Sequence, residues 1–179
     1  LFTWPSAAAT FDYGYDRESA LWSRDAFEDL LKSLANSPSG GRINIVAHSM
    51  GTLLTLETIR MLRAEAGEAA MSRIGAIVLA APDIDIDLFT SAVERMVPDG
   101  HKITVISSTN DRALELSGAI AGGIVRAGAA DRERLEALGV RVADASDYGG
   151  GLINHDLFLS NPEVQGVVKR AIGRAAGGA

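Results

Sequence analysis

The sequence predicts an α/β domain with a parallel sheet sandwiched between helices. Three observations predict it. Residues 43–46, 74–81 and 103–106 are short, nearly continuous apolar runs, as expected of strands buried on both faces. Segments with helical apolar spacing alternate with those runs. The stretch Ala47-His48-Ser49-Met50-Gly51 places a serine between small residues where a strand gives way to a helix.

Taken in order, Leu1-Phe2-Thr3-Trp4 reads as a short strand, closed by Pro5-Ser6. No cap or tail precedes it, so the chain is expected to be a piece of something longer. Residues 7–15 form a loop of small and aromatic residues. From Asp16 onward, Leu21, Trp22, Phe27, Leu30, Leu31 and Leu34 recur at helical spacing, and the 36–41 cluster of Asn, Ser, Pro and Gly is a turn. After the strand at 43–46, Leu53, Leu56, Ile59 and Leu62 mark a helix that Gly67 stops. The strand at 74–81 ends at Pro82-Asp83, and 87–97 is helical. The strand at 103–106 is closed by 107–111, and 113–125 is a helix rich in small residues. Gly139 makes a turn before a weak strand at 140–142, and 148–151 is a glycine-rich loop. The last helix opens with Asn161 as cap, Pro162 in the first turn and Glu163 near the positive end of the dipole. Its buried stripe is Val164, Val167, Val168, Ala171 and Ile172. A single domain spans 1–174, with a frayed Ala/Gly-rich tail at 175–179.

Composition narrows the function. The chain has 179 residues, 47% of them hydrophobic, enough for a real core. Net charge is −6, and no Lys/Arg cluster appears along the sequence, which argues against nucleic acid or an anionic membrane as partner. No apolar run reaches the ~20 residues of a membrane span. Cysteine is absent, which excludes disulfides, thiolate metal sites and cysteine nucleophiles and fits cytosol and export alike.

A serine hydroxyl needs a base to take its proton, and the base needs an acid to orient it. Ser49 sits where a nucleophile elbow would present it: on a turn so sharp that its backbone is strained and its hydroxyl stands clear of the sheet. Small residues are required on either side, and Ala47 takes the place of the more usual glycine. Of the three histidines, His48 is adjacent to the serine and points elsewhere on a sharp turn, and His101 precedes a strand at the far end of the sheet. His155 follows the glycine-rich loop that leaves the carboxyl end of the last strand, where sites gather in such sheets, and is the candidate base. Asp111 is the favoured acid, in a polar turn one strand nearer the histidine; Asp83, or its neighbour Asp85, is the alternative. The backbone N–H of Met50 is the expected oxyanion donor, and Gly51 and His48 flank the site. No metal or organic cofactor is implied.

Each of these residues has a plainer reading. Ser49 could be a turn residue that binds phosphate or nothing, His155 a cap or surface residue, and Asp83 and Asp111 helix caps. His48 reads as a packing residue, Trp4 and Trp22 as core, and Asp16 and Glu18 as first-turn charges.

Together Phe2-Thr3-Trp4-Pro5-Ser6, Tyr15-Asp16, Ala47-His48-Ser49-Met50-Gly51, Ala80-Ala81-Pro82-Asp83-Ile84-Asp85, Ser107-Ser108, Asp111-Arg112-Ala113-Leu114 and Asn154-His155 resemble the α/β-hydrolase superfamily. The closer resemblance is to a bacterial branch of predicted serine esterases catalogued as a domain of unknown function. It implies Ser49, Asp111 and His155 as nucleophile, acid and base, and a small-molecule ester as substrate. It also implies that three strands and an oxyanion loop are missing ahead of Leu1, one strand belonging between 1–4 and 43–46. The exposed edges would then invite self-association. Amide, thioester or lactone cleavage by the same triad, and a catalytically inactive binding or scaffold domain, are the alternatives.

Overall fold

A computed structural model of the chain describes residues 1–6, 12–96, 98–107, 132–144 and 159–177. Among these, four strands form one parallel sheet: β1 (Ile43–His48), β2 (Ile74–Ala80), β3 (Ile103–Ser107) and β4 (Arg141–Asp144), in the order β1-β2-β3-β4. Every residue of β2 and β3 is buried, which is why both read as unbroken apolar runs. The two-residue strand period divides their side chains between two cores. Ile77, Leu79 and Val105 join the larger core with Leu53, Leu56 and Phe89 from the helices. Ala76, Val78, Ala80 and Ile106 face the other way, toward Val164, Val167 and Ala171.

The helices α1 (Tyr13–Trp22), α2 (Arg24–Ala35), α3 (Gly51–Met71), α4 (Ile86–Glu94) and α5 (Arg132–Ala137) precede α6 (Pro162–Gly177). Asn161 caps α6 as its sequence predicts, with Oδ1 accepting from Glu163 N at 2.8 Å and Val164 N at 3.3 Å. The helix then continues through Ala175 to Gly177, where the sequence suggested a tail. Gly67, expected to stop α3, instead interrupts it with φ 61°, and a final turn follows. Helix α4 begins one residue earlier and ends three residues sooner than 87–97.

Three expectations are corrected. Residues 1–4 form no strand. A strand needs a neighbour for its backbone groups, and this segment is instead fixed by side chains: Phe2 stacks on Phe27 with ring centroids 4.6 Å apart, and Trp4 lies over Gly51. The helical stretch from Asp16 to Leu34 is two helices, parted at Ser23, whose N–H bonds back to the carbonyls of Ser19 and Ala20. The reading of Trp22 as core is overturned: the break turns it outward, 80% exposed, and Leu30 and Leu34 are exposed too. Asp16 does stand in the first turn of α1, as expected, but away from solvent. It is buried and accepts from Ser6 Oγ at 2.8 Å, while Ser19 Oγ donates to Pro5 O at 2.8 Å, so α1 holds the Trp4-Pro5-Ser6 segment in place.

No described strand pairs with the outer edge of β1, and an apolar cavity of about 430 Å³ runs along it between Phe2, Trp4, Leu31 and Ile45. The fold also gathers basic residues that are scattered in sequence: Arg141, Arg170 and Arg174 line a second cavity of about 470 Å³ beside β4, together with Glu136.

Candidate active site

The site is built where β1 and β2 end. Strand β1 closes at His48, and the ladder runs one residue further, with Ser49 N donating to Ala80 O at 3.0 Å. Ser49 then takes φ 52°, a left-handed conformation that costs an ordinary L-residue about 1–2 kcal/mol. Strained non-glycine residues of this kind concentrate at functional sites. The turn lets α3 begin only two residues later, at Gly51. Met50 caps that helix with φ −60° and ψ −26°, so its N–H belongs to the donors that a helix start leaves without an internal acceptor.

The small residues have separate reasons. Ala47 is buried in the larger core. A Cβ on Gly51 would stand 3.3 Å from the Trp4 ring, so the tight neighbour there is the N-terminal tryptophan rather than the strand. His48 is half-buried and lies opposite Ala80 in the β1–β2 register.

A second strained residue faces the first. Ala81 has φ 45°, and its N–H donates to Ile106 O at 2.8 Å. This kink turns the chain after β2 so that Asp83 N returns to the elbow, 3.3 Å from Ser49 O and 3.2 Å from Thr52 Oγ1. The Asp83 carboxylate accepts from Tyr13 Oη at 2.6 Å. Asp85, not Asp83, is the N-cap of α4, accepting from Asp87 N at 3.0 Å and Leu88 N at 3.1 Å.

His101 is in the 3₁₀ turn Asp99–Lys102 ahead of β3, its Nδ1 2.8 Å from Pro98 O, at the end of the sheet away from Ser49. Asp111 and His155 lie outside the described residues. Sequence reading gave no individual role to Tyr13, Thr52, Ala81 or Asp144. The last is a buried carboxylate at the carboxyl end of β4, paired in register with Ser107. An acid closing a weak strand was the available signal for Asp144; nothing local signals Ala81. Among the described residues no cluster of three or more His, Asp or Glu side chains is placed to hold a metal ion, and no helix is long and apolar enough to cross a membrane.

A parallel sheet with a strained serine at a strand-to-helix elbow defines an α/β hydrolase. The chain belongs to the family described as alpha/beta hydrolase of unknown function (DUF900), which matches residues 1–174. No curated protein and no solved structure matches it. The family makes the protein a hydrolase of open specificity.

Proposed function

We propose that the protein is a serine hydrolase that cleaves carboxylic esters through an acyl-enzyme. The observation that carries this is the left-handed backbone of Ser49 between β1 and α3. Strain of that kind clusters at functional sites, and here it falls on a residue with a hydroxyl to present.

In this reading His155 takes the Ser49 hydroxyl proton as Oγ attacks the ester carbonyl, and Asp111 orients the imidazole. The tetrahedral oxyanion rests on Met50 N–H. Collapse breaks the carbonyl–alkoxy bond, and the alcohol leaves with the proton from His155. Water then repeats the cycle on the acyl-enzyme, releasing the acid and free Ser49. Asp111 is preferred to Asp83 as the orienting acid on its place in the polar turn after β3, one strand nearer the histidine; Tyr13 takes only Oδ2 of Asp83, whose other oxygen could still accept.

Fluorophosphonate treatment followed by peptide mass spectrometry tests the reading. The adduct is expected on Ser49, absent in Ser49→Ala and lost or strongly slowed in His155→Ala. No adduct on the wild-type protein would overturn the enzyme reading in favour of a binding or scaffold domain. Rates on matched ester, thioester, amide and lactone probes then separate the hydrolase classes.

A further inference from the structure

We propose that Thr52 is a positioning residue that aims the Met50 N–H through the Ser49–Met50 peptide, an inference that rests on Ser49 being the nucleophile. The Ser49 carbonyl receives three donors: Thr52 Oγ1 at 2.6 Å, Thr52 N at 3.0 Å and Asp83 N at 3.3 Å. Thr52 supplies two of them and is fully buried, so water does not compete for its hydroxyl. That hydroxyl also accepts from Asp83 N at 3.2 Å. Its proton direction follows from its neighbours. An amide N–H only donates and a carbonyl only accepts, so the single Oγ–H points at Ser49 O.

The carbonyl of Ser49 and the N–H of Met50 belong to one planar, trans peptide group. Fixing the direction of one fixes the other, pointing the opposite way. Three donors on the carbonyl also polarise the peptide and strengthen its N–H as a donor. Thr52 therefore ties the two strained turns, at Ser49 and Ala81, to the one peptide that would face the oxyanion.

Threonines in helices often bond back to a carbonyl one turn earlier, with no functional meaning. This chain holds its own control. Thr58 Oγ1 donates to Leu54 O at 2.7 Å in the same helix, is equally buried, and lies two turns from the elbow. Thr52 differs in reaching across to the turn after β2.

The test compares fluorophosphonate labelling rates and melting temperatures of the full chain in four forms. Wild type and Thr52→Ser should label at rates within a few-fold of each other. Thr52→Val should label roughly 10–100-fold more slowly, less than outright loss of an oxyanion donor costs. Thr58→Val should lose comparable thermal stability yet label at the wild-type rate. If Thr52→Val does not fold, Thr52→Ala removes the same hydroxyl without a branched side chain. Wild-type labelling by Thr52→Val or Thr52→Ala overturns the proposal, as does equal slowing by Thr58→Val. A wild-type protein that does not label overturns the nucleophile reading itself, and this inference with it.

Discussion

At the amino end of β3, Asp99 is 4% exposed and lies between two cations, Arg63 Nη1 and Lys102 Nζ, each at 2.8 Å. Lys102 also donates to Met71 O at 2.6 Å, so the cluster ties the last turn of α3 to the start of β3. No backbone strain is recorded at Asp99 or its neighbours in the 3₁₀ turn. At the carboxyl ends of β1 and β2 the arrangement is reversed. Ser49 and Ala81 both have positive φ, and their backbone groups are bonded to other backbone groups and to one threonine hydroxyl. The contrast separates two tasks. Charge at the amino end fixes where elements lie. Neutral hydrogen bonds at the carboxyl end fix the direction of single peptide groups, and the rest of the fold has to offset the strain they hold.

The comparison breaks most readily at Asp99. Asp99→Ala removes the buried anion between two cations and should cost about 3 kcal/mol, the low end for disrupting a buried pair because Arg63 keeps Glu68 at 2.7 Å and both cations keep some contact with water. Urea unfolding measures the loss. The folded fraction should still label at Ser49 at the wild-type rate, since nothing at the elbow changes. A labelling rate that falls with stability would mean that the two ends are one cooperative unit rather than two.

Ala81 sharpens the other side. Glycine adopts φ 45° without penalty, so Ala81→Gly removes a strain of about 1–2 kcal/mol and adds unfolded-chain entropy worth about 0.4–1 kcal/mol. The net expectation is a gain of about 0.5 kcal/mol with slower labelling, because the turn that returns Asp83 N to Ser49 loses its rigidity. Ala81→Val should destabilise, a branched residue being poorly tolerated at that φ. Thermal melts of the two variants should move in opposite directions; a common direction would mean that φ at this position does not govern stability.

The same division explains what the sequence revealed. Strands β2 and β3 were legible because burial on both faces writes an unbroken apolar run, and the Ser49 turn because small residues bracket it. The cap at Asn161 was legible because capping is local chemistry. Residues 1–4 misled because an apolar stretch looks alike whether a ladder or a pair of aromatic rings holds it. Asp16 is in the first turn as read, but its bond to Ser6 left no local signal, because Ser6 lies ten residues back. Ala81 left no mark: its conformation follows from bonds to Ile106 and from the return of Asp83, both long-range. Asp111 and His155 rest on order along the chain and on resemblance, and both fall outside the described residues.

The smallest effect should come from Lys32, which tests whether charge or burial gives the amino end its strength. Lys32 Nζ lies 2.7 Å from Glu65 on α3 and 3.1 Å from Glu28 one turn back on α2. Its hydrogen bond to Glu65 first, then that to Glu28, hold its pKa above the ordinary lysine value. A raised folded-state pKa gives stability that is complete below the unfolded value of about 10.4 and lost as pH climbs through the folded one. Lys32→Gln should therefore be less stable than wild type at neutral pH, and the two should converge at alkaline pH and draw closer at high salt, because this lysine is half-exposed and ions reach it, although its partner Glu28 is buried. Paired urea titrations across pH at low and high salt read the difference. If Lys32→Gln proved as costly as Asp99→Ala, the exposure of the cation would not be what ranks these ion pairs, since the carboxylates they hold, Glu28 and Asp99, are equally buried.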